Sequence, residues 1–311
     1  MAIRLPSGHS YLSRIGPTPL ALVQLDDVPV WCKLEFLNPS GSTKDRIARF
    51  ILEKAWRAGR LTTGATVIEA SSGSTSIAMA LACAQLGLRF VAVMPEGVSN
   101  ERVLIIRAYG GEIRLTPKET GIRGAIAETE RLAAECDGFL PRQFANPDNA
   151  QSHRMATARE ILDQIPGNSV DAIVSGVGTG GTLVGLFQGL LEAGCPVRPV
   201  VARPVVLSGS ATDVECCSFS ARIPGVVDSI STIFKPEALP GLETIEVADD
   251  LALETTRRLM RLGYPVGPSS GLNYAAACVV ARRMPLGAQV VTVFPDRMER
   301  YFTTELFRPF V

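Results

Sequence analysis

The 311-residue chain is poor in residues and patterns that several common functions require. It contains only two histidines, His9 and His153, and no pair of cysteines separated by two residues, which argues against a zinc site. Its formal net charge is zero, so it lacks the basic excess that neutralises nucleic-acid phosphates. No apolar run is long enough to cross a membrane, and the N-terminus lacks the apolar core of a signal peptide. We therefore expect no nucleic-acid partner and no membrane association.

The seven cysteines are odd in number and lie mostly in apolar surroundings, which is typical of a protein kept in a reducing compartment. Hydrophobic residues make up 46% of the chain and charged residues 20%, so a sizeable core is expected. The composition and length predict a cytoplasmic protein with one large domain or two ordinary ones.

Strand-like and helical patterns alternate along the chain. The short apolar runs lack polar alternation, which is typical of parallel strands covered on both faces. The pattern therefore predicts an α/β protein whose many strands form two sheets in two lobes, with a crossing between the lobes near residues 138–147. The predicted strands span residues 28–36, 66–69, 89–94, 112–116, 171–175, 197–202, 244–247 and 289–294, and the predicted helices span residues 44–58, 74–86, 99–109, 122–135, 149–164, 182–192, 250–262 and 272–283.

Lys44 is one of only five lysines and follows the strand breakers at residues 38–41. The pattern after it predicts a helix, so Lys44 is expected in the first helical turn. A helix N-terminus should lower the pKa of a lysine, and a neutral amine can form a Schiff base with an aldehyde. A solvated surface lysine is the alternative.

Two loops combine a preceding strand, small residues and a following helix. Residues 71–76 carry five hydroxyl groups in six positions, more than plain helix capping needs, and indicate a cradle for a carboxylate. Residues 175–182 are rich in glycine and indicate a cradle for a compact phosphate. The second loop lacks the Gly-Lys-Ser/Thr of a P-loop and the position of a dinucleotide fingerprint.

Two further segments complete the candidate site. Ser269 precedes another helix and is either a helix cap or a hydrogen-bond partner for a ring nitrogen. Gln143 lies at the predicted lobe crossing, where its amide is expected to face a cleft.

Taken in chain order, these elements resemble the cysteine synthase/cystathionine β-synthase family, fold type II of the pyridoxal phosphate (PLP) enzymes. The similarity covers nearly the whole chain. Its segments are residues 16–20, 38–46, 71–75, 143–147, 178–182, 269–271 and 294–306.

The resemblance implies two lobes of the tryptophan synthase β type, with a larger PLP-binding domain (1–41 and 148–311) and a smaller mobile domain (42–147). It implies that Lys44 forms the internal aldimine with PLP. The remaining implied ligands fall into three groups: Gly178, Thr179, Gly180, Gly181 and Thr182 for the phosphate; Ser74 and Ser269 for the rest of the cofactor; and Ser71, Ser72, Gly73, Thr75 and Gln143 for the substrate.

The resemblance also implies a reaction. It is a β-replacement on an O-activated L-serine through an α-aminoacrylate, in which Lys44 moves the Cα proton. The default pair is O-acetylserine and sulfide, giving cysteine. A diaminopropionate-type synthase with an amine nucleophile and a cysteine desulfhydrase remain alternatives within the class.

Three positions depart from the family pattern. Ser74 stands where cysteine synthases usually have asparagine, so a water or a shifted residue must fill the gap. Arg203 replaces a glutamate, and either pairs with an anionic substrate group or lies on the surface. Asp228 lies in a segment that replaces a glycine-rich one. There its side chain is expected to restrict access of the second substrate or to recognise it.

The resemblance further implies a homodimer and an interaction with serine acetyltransferase. A non-catalytic, partner-binding paralogue is an alternative from another class. An NAD-dependent enzyme is disfavoured, because it would leave Lys44 unexplained.

Overall fold

The computed structural model describes residues 9–206, 220, 222–226 and 230–310. Its larger sheet has the strand order β1-β2-β9-β6-β7-β8, and its smaller sheet has the order β3-β4-β5. The strands are β1 (Leu20–Leu25), β2 (Val28–Lys33), β3 (Thr66–Ala70), β4 (Arg89–Pro95), β5 (Glu112–Thr116), β6 (Ala172–Ser175), β7 (Arg198–Val205), β8 (Glu243–Ala248) and β9 (Val290–Val293).

Helices follow most strands. They are α1 (Lys44–Arg57), α2 (Ser74–Leu86), α3 (Asn100–Ala108), α4 (Gly121–Cys136), α5 (Asp148–Ser152), α6 (Ala158–Gln164), α7 (Gly181–Glu192), α8 (Asp249–Arg261) and α9 (Pro268–Arg283). Short 3₁₀ segments occur at His9–Arg14, Glu35–Leu37, Lys118–Thr120, Pro166–Asn168, Pro236–Ala238, Met298–Tyr301 and Glu305–Phe310. None of the described helices is long and apolar enough to cross a membrane.

Both sheets are covered on two faces, which explains their unbroken apolar strands. In β6, Val174 packs with α9, whereas its neighbour Ile173 packs with α7 on the opposite face. In β3, Val67 and Ile68 likewise point into two different core clusters. The predicted α/β class with two mostly parallel sheets is confirmed.

Three details differ from the prediction. Strand β1 was missed; it pairs antiparallel with β2 at the sheet edge and buries only Val23 fully, so its sequence lacks a clear strand pattern. The strand predicted over residues 28–36 ends at Lys33 and continues as a 3₁₀ turn. The helix predicted over residues 149–164 is divided into α5 and α6 by a π-helical turn, His153–Thr157.

Candidate active site

A cavity of about 1190 Å³, including its open mouth, lies where both sheets present the carboxyl ends of their strands. Loops after β3, β6 and β9 contribute to its walls. The predicted site residues that line it are Lys44, Ser71, Ser72, Gly73, Ser74, Thr75, Gln143, Gly178, Thr179, Gly180, Thr182 and Ser269. The structure therefore brings together five segments that are far apart in the sequence.

Lys44 is the first residue of α1, as predicted, and its half-buried side chain lines the cavity. Burial lowers the pKa of Lys44 to about 8, with the carboxylate of Asp296 acting in the opposite direction. Burial, and not the helix dipole expected from the sequence, is therefore the main cause of the lowered pKa. The neutral fraction of this amine near physiological pH is therefore larger than that of an ordinary lysine, although the charged form still predominates.

A buried ion network anchors α1 two residues beyond Lys44. Arg46 donates to Glu35 at 2.6 Å and to Glu160 at 2.7 Å, and Lys33 lies 2.8 Å from Glu160. Although burial opposes it, the Arg46 guanidinium lowers the pKa of Glu35 to about 2. The network joins α1 to β2 and α6, and so fixes the backbone that carries Lys44.

The loop before α7 has a shape that only glycine allows. A Cβ atom on Gly178 would lie 2.3 Å from the carbonyl oxygen of Gly225, and one on Gly181 would lie 1.9 Å from Asn149 Oδ1. Gly180 adopts a φ of 80°, in the left-handed region. Since the first amides of α7 have no intrahelical partners, the loop offers donors and a helix dipole to an anion. This cradle therefore offers the donors that a compact phosphate group needs.

Asn149 holds this loop in place. Its Nδ2 donates to Thr179 Oγ1 at 2.9 Å and to the Gln143 carbonyl at 2.7 Å. Asn149 is fully buried and was not identified from the sequence as a site residue. It links the phosphate loop to the segment that carries Gln143.

The loop between β3 and α2 forms a second anion cradle. Ser71 Oγ accepts a hydrogen bond from the amide of Gly73 at 2.9 Å. Thr75 Oγ1 donates to Gln143 Oε1 at 2.6 Å, and Gln143 Nε2 donates to the Ala70 carbonyl at 2.6 Å. The Gln143 amide thus lies at the cavity, as predicted, but is already hydrogen-bonded to the protein.

Arg102 adds positive charge to this second cradle. Its guanidinium lies 5.1 Å from the ring centre of Tyr301, and a Cβ atom on Gly73 would be 2.5 Å from Arg102 Cδ. The side chain is 7% exposed and lines the cavity, and its Nε has no hydrogen-bond partner within the described ranges. A buried guanidinium beside the N-terminus of α2 favours a bound anion.

Ser74 belongs to a polar cluster contributed by the C-terminal segment. Its Oγ donates to Asp296 Oδ2 at 3.0 Å and lies 2.8 Å from the donor Arg300 Nη1. The Tyr301 hydroxyl donates to the same Asp296 oxygen at 2.7 Å. Asp296 and Arg300 therefore occupy the surroundings of the short Ser74 side chain, where the sequence argument called for a water or a shifted residue.

Asp296 itself lines the cavity and was not predicted. Its Oδ1 is buried and has no hydrogen-bond partner in the part of the chain that the structure describes. A carboxylate beside Lys44 supports the charged form of that amine.

The remaining predicted residues have different outcomes. Ser269 is the second residue of α9 and lines the cavity with its side chain partly exposed. Arg203 lies on β7, opposite Glu246 of β8, and forms an ion pair with it on the protein surface, away from the cavity. The surface interpretation of Arg203 is therefore the one supported. Asp228 lies outside the described residues.

These features define a pyridoxal-phosphate dependent enzyme, and a family model of that description matches residues 11–296. The chain belongs to this family. The cysteine synthase of Staphylococcus aureus is 38% identical over 304 residues, which cover 94% of this chain and 95% of that protein.

Two solved structures support the same family assignment. O-ureido-L-serine synthase has a TM-score of 0.86 at 36% identity, covering 97% of this chain and 96% of that one. The O-acetylserine dependent cystathionine β-synthase of Helicobacter pylori has a TM-score of 0.85 at 33% identity, covering 98% of this chain and 100% of that one. The chain is thus a cysteine synthase-like, PLP-dependent enzyme.

Proposed function

We propose that this enzyme replaces the Cβ substituent of an O-activated L-serine, with O-acetylserine and sulfide as the default substrates and cysteine as the product. The observation that carries the proposal is that a lysine of lowered pKa and two separate anion cradles line the same cavity. Relatives named cysteine synthase and an O-acetylserine dependent synthase support this choice of substrate.

The cofactor would be held at both of its ends. The loop of residues 178–182 would bind the phosphate, and Lys44 would attach to the aldehyde. Ser269 would face the pyridine nitrogen, and Ser74 would lie near the ring, with its hydroxyl oriented by Asp296. A neutral serine opposite a ring nitrogen stabilises less negative charge than an aspartate would, which suits elimination and replacement at Cβ.

The amino-acid substrate would bind through its α-carboxylate at the second cradle. Ser71, Ser72, Gly73 and Thr75 would supply hydroxyl and amide donors, and Gln143 would join them by exchanging one of its internal hydrogen bonds. Arg102 would add a full positive charge from beneath the loop. Together they would orient Cα toward Lys44.

Bound PLP supplies an electron sink for the negative charge that develops at Cα. Lys44 Nζ would remove the Cα proton and later return it to the same atom. A pKa of about 8 suits both tasks, because general bases work best when their pKa lies near the operating pH.

The identity of the nucleophile is tested by a direct comparison. The purified enzyme with PLP would be given O-acetyl-L-serine with sulfide or glutamate, and cysteine alone in a separate reaction. We expect cysteine formation with sulfide. Turnover with glutamate would indicate the diaminopropionate-type alternative, and sulfide release from cysteine the desulfhydrase alternative. A Lys44→Ala control should be inactive in every assay. Bound PLP without any turnover would favour a non-catalytic, partner-binding role.

We further propose the domain division expected from the sequence, with residues 42–147 closing over the bound substrate. We also propose a cytoplasmic homodimer that binds serine acetyltransferase, as the resemblance to the cysteine synthase family implies. Light scattering of the purified protein and small-angle scattering with and without substrate would test the dimer and the closure.

A further inference from the structure

His153 is a fully buried titratable group close to the phosphate cradle, and the proposed reaction does not use it directly. It begins the π-helical turn between α5 and α6. Its Nε2 lies 3.3 Å from Thr182 Oγ1, and its Nδ1 lies 3.0 Å from Thr157 Oγ1. Thr182 lines the cavity, so the imidazole forms the middle of a chain of hydrogen bonds that ends at the cradle.

The packing around His153 makes this contact rigid. A Cβ atom on Gly185 of α7 would lie 2.7 Å from His153 Cβ and 2.2 Å from the Ala150 carbonyl oxygen. A Cβ atom on Gly189, one turn further, would lie 2.6 Å from Ala158 Cβ. The small residues of α7 thus let the π-helical turn approach closely enough for the imidazole to reach Thr182. π-helical turns within helices are frequently found at functional sites.

The imidazole is neutral, since burial lowers the pKa of His153 to about 3. One ring nitrogen therefore carries a proton and donates a hydrogen bond, and the other accepts a hydrogen bond. If Nε2 carries the proton, it donates to Thr182 Oγ1, and the Thr182 hydroxyl is free to donate into the cavity. If Nδ1 carries it, the Thr182 hydroxyl donates to Nε2, and the hydroxyl proton points away from the cavity.

A phosphate group offers only acceptors at neutral pH, so it selects the first arrangement. We propose that His153 is a positioning residue that, as its Nε2–H tautomer, directs the Thr182 hydroxyl proton toward the phosphate cradle. In this tautomer Nδ1 is unprotonated and accepts a hydrogen bond from the Thr157 hydroxyl, whose oxygen lies 3.0 Å away. This proposal rests on the proposed binding of the cofactor phosphate at residues 178–182.

The tautomer can be observed directly, because the chain has only one other histidine, His9. Nitrogen NMR of protein labelled with ¹⁵N-histidine would be recorded with PLP bound, and a His9→Asn variant would assign the two rings. We expect His153 to be protonated at Nε2 and unprotonated at Nδ1. Protonation at Nδ1 would overturn the proposal.

Cofactor affinity gives a second test that a purely structural role would not satisfy. Glutamine can place a donor where Nε2 lies, whereas asparagine places its amide near Nδ1. We expect His153→Asn and Thr182→Val each to raise the Kd for PLP about tenfold, and His153→Gln to restore part of the loss. In the double variant the two effects should not add, because the histidine acts through Thr182. Additive losses, or no rescue by glutamine, would contradict the proposal.

The two failures can be told apart. If the wild-type protein does not bind PLP, the proposed function fails before the role of His153 is tested. If it binds PLP and His153→Asn binds it equally well, only the proposed role of His153 is wrong.

Discussion

Replacing Gly181 by alanine is expected to weaken the binding of PLP by roughly 30-fold. The new Cβ would lie 1.9 Å from Asn149 Oδ1, whereas an ordinary contact is about 3.4 Å. Asn149 would therefore have to move by roughly 1.5 Å. That movement breaks its hydrogen bonds to Thr179 Oγ1 and to the Gln143 carbonyl, which are 2.9 and 2.7 Å long.

The magnitude follows from those two bonds. Each contributes about 1 kcal/mol net, so the organised form of the phosphate loop loses about 2 kcal/mol. The loop must then be ordered when PLP binds, and about 1.4 kcal/mol corresponds to a tenfold change in affinity. Fluorescence titration of the cofactor-free protein with PLP would measure the change.

The matched control removes the Asn149 side chain, which the new Cβ atom would strike. In an Asn149→Ala background, Gly181→Ala should cause little additional loss, because the atom that it strikes is gone. An equal loss in both backgrounds, or wild-type affinity in the single Gly181→Ala variant, would show that the close contact does not shape the cradle.

Three further predictions concern ionisable groups around the cavity. Burial raises the pKa of Glu69 to about 8, above its value in the unfolded chain. Glu69 should therefore contribute a fall in the free energy of unfolding of up to about 5 kcal/mol as pH rises from about 4.5 to 8. Denaturant titrations should show this fall as a difference between the wild-type protein and Glu69→Gln across that pH range. Arg102→Met should raise the KM for the amino-acid substrate about tenfold or more with a smaller effect on kcat, while Arg102→Lys should lie between; an unchanged KM would refute a role for this charge. Asp296→Asn should lower the pKa of Lys44 further, since the variant lacks the carboxylate that supports the charged amine; the pH dependence of amine acylation in cofactor-free protein, with Lys44→Ala as the blank, would show it.

The parts of the site that follow from local sequence were predictable. Lys44 lies at a helix start because strand breakers precede it and an amphipathic helix follows. The two cradles lie where a strand, small residues and a helix succeed one another, a local pattern that needs no distant partner. Strand β1 was missed because an edge strand with one fully buried side chain lacks a distinctive pattern.

The roles of Asp296, His153 and Arg102 could not be identified from the sequence, because they depend on contacts between distant residues. Ser74 and Asp296 are separated by 222 residues, and His153 meets Thr182 only because α7 packs against the π-helical turn. Nothing local marks Arg102 as buried, since arginine in a helix is usually exposed. Such pairings follow from the tertiary fold, which a single sequence shows only through resemblance.

The most direct test of the central claim is an absorbance spectrum of the protein with PLP, recorded before and after addition of O-acetyl-L-serine. We expect a visible band from cofactor linked to Lys44, a change of that band when the substrate is added, and loss of the linked form in Lys44→Ala. A protein that shows no band after PLP is added, or a band unaffected by Lys44→Ala, would contradict it.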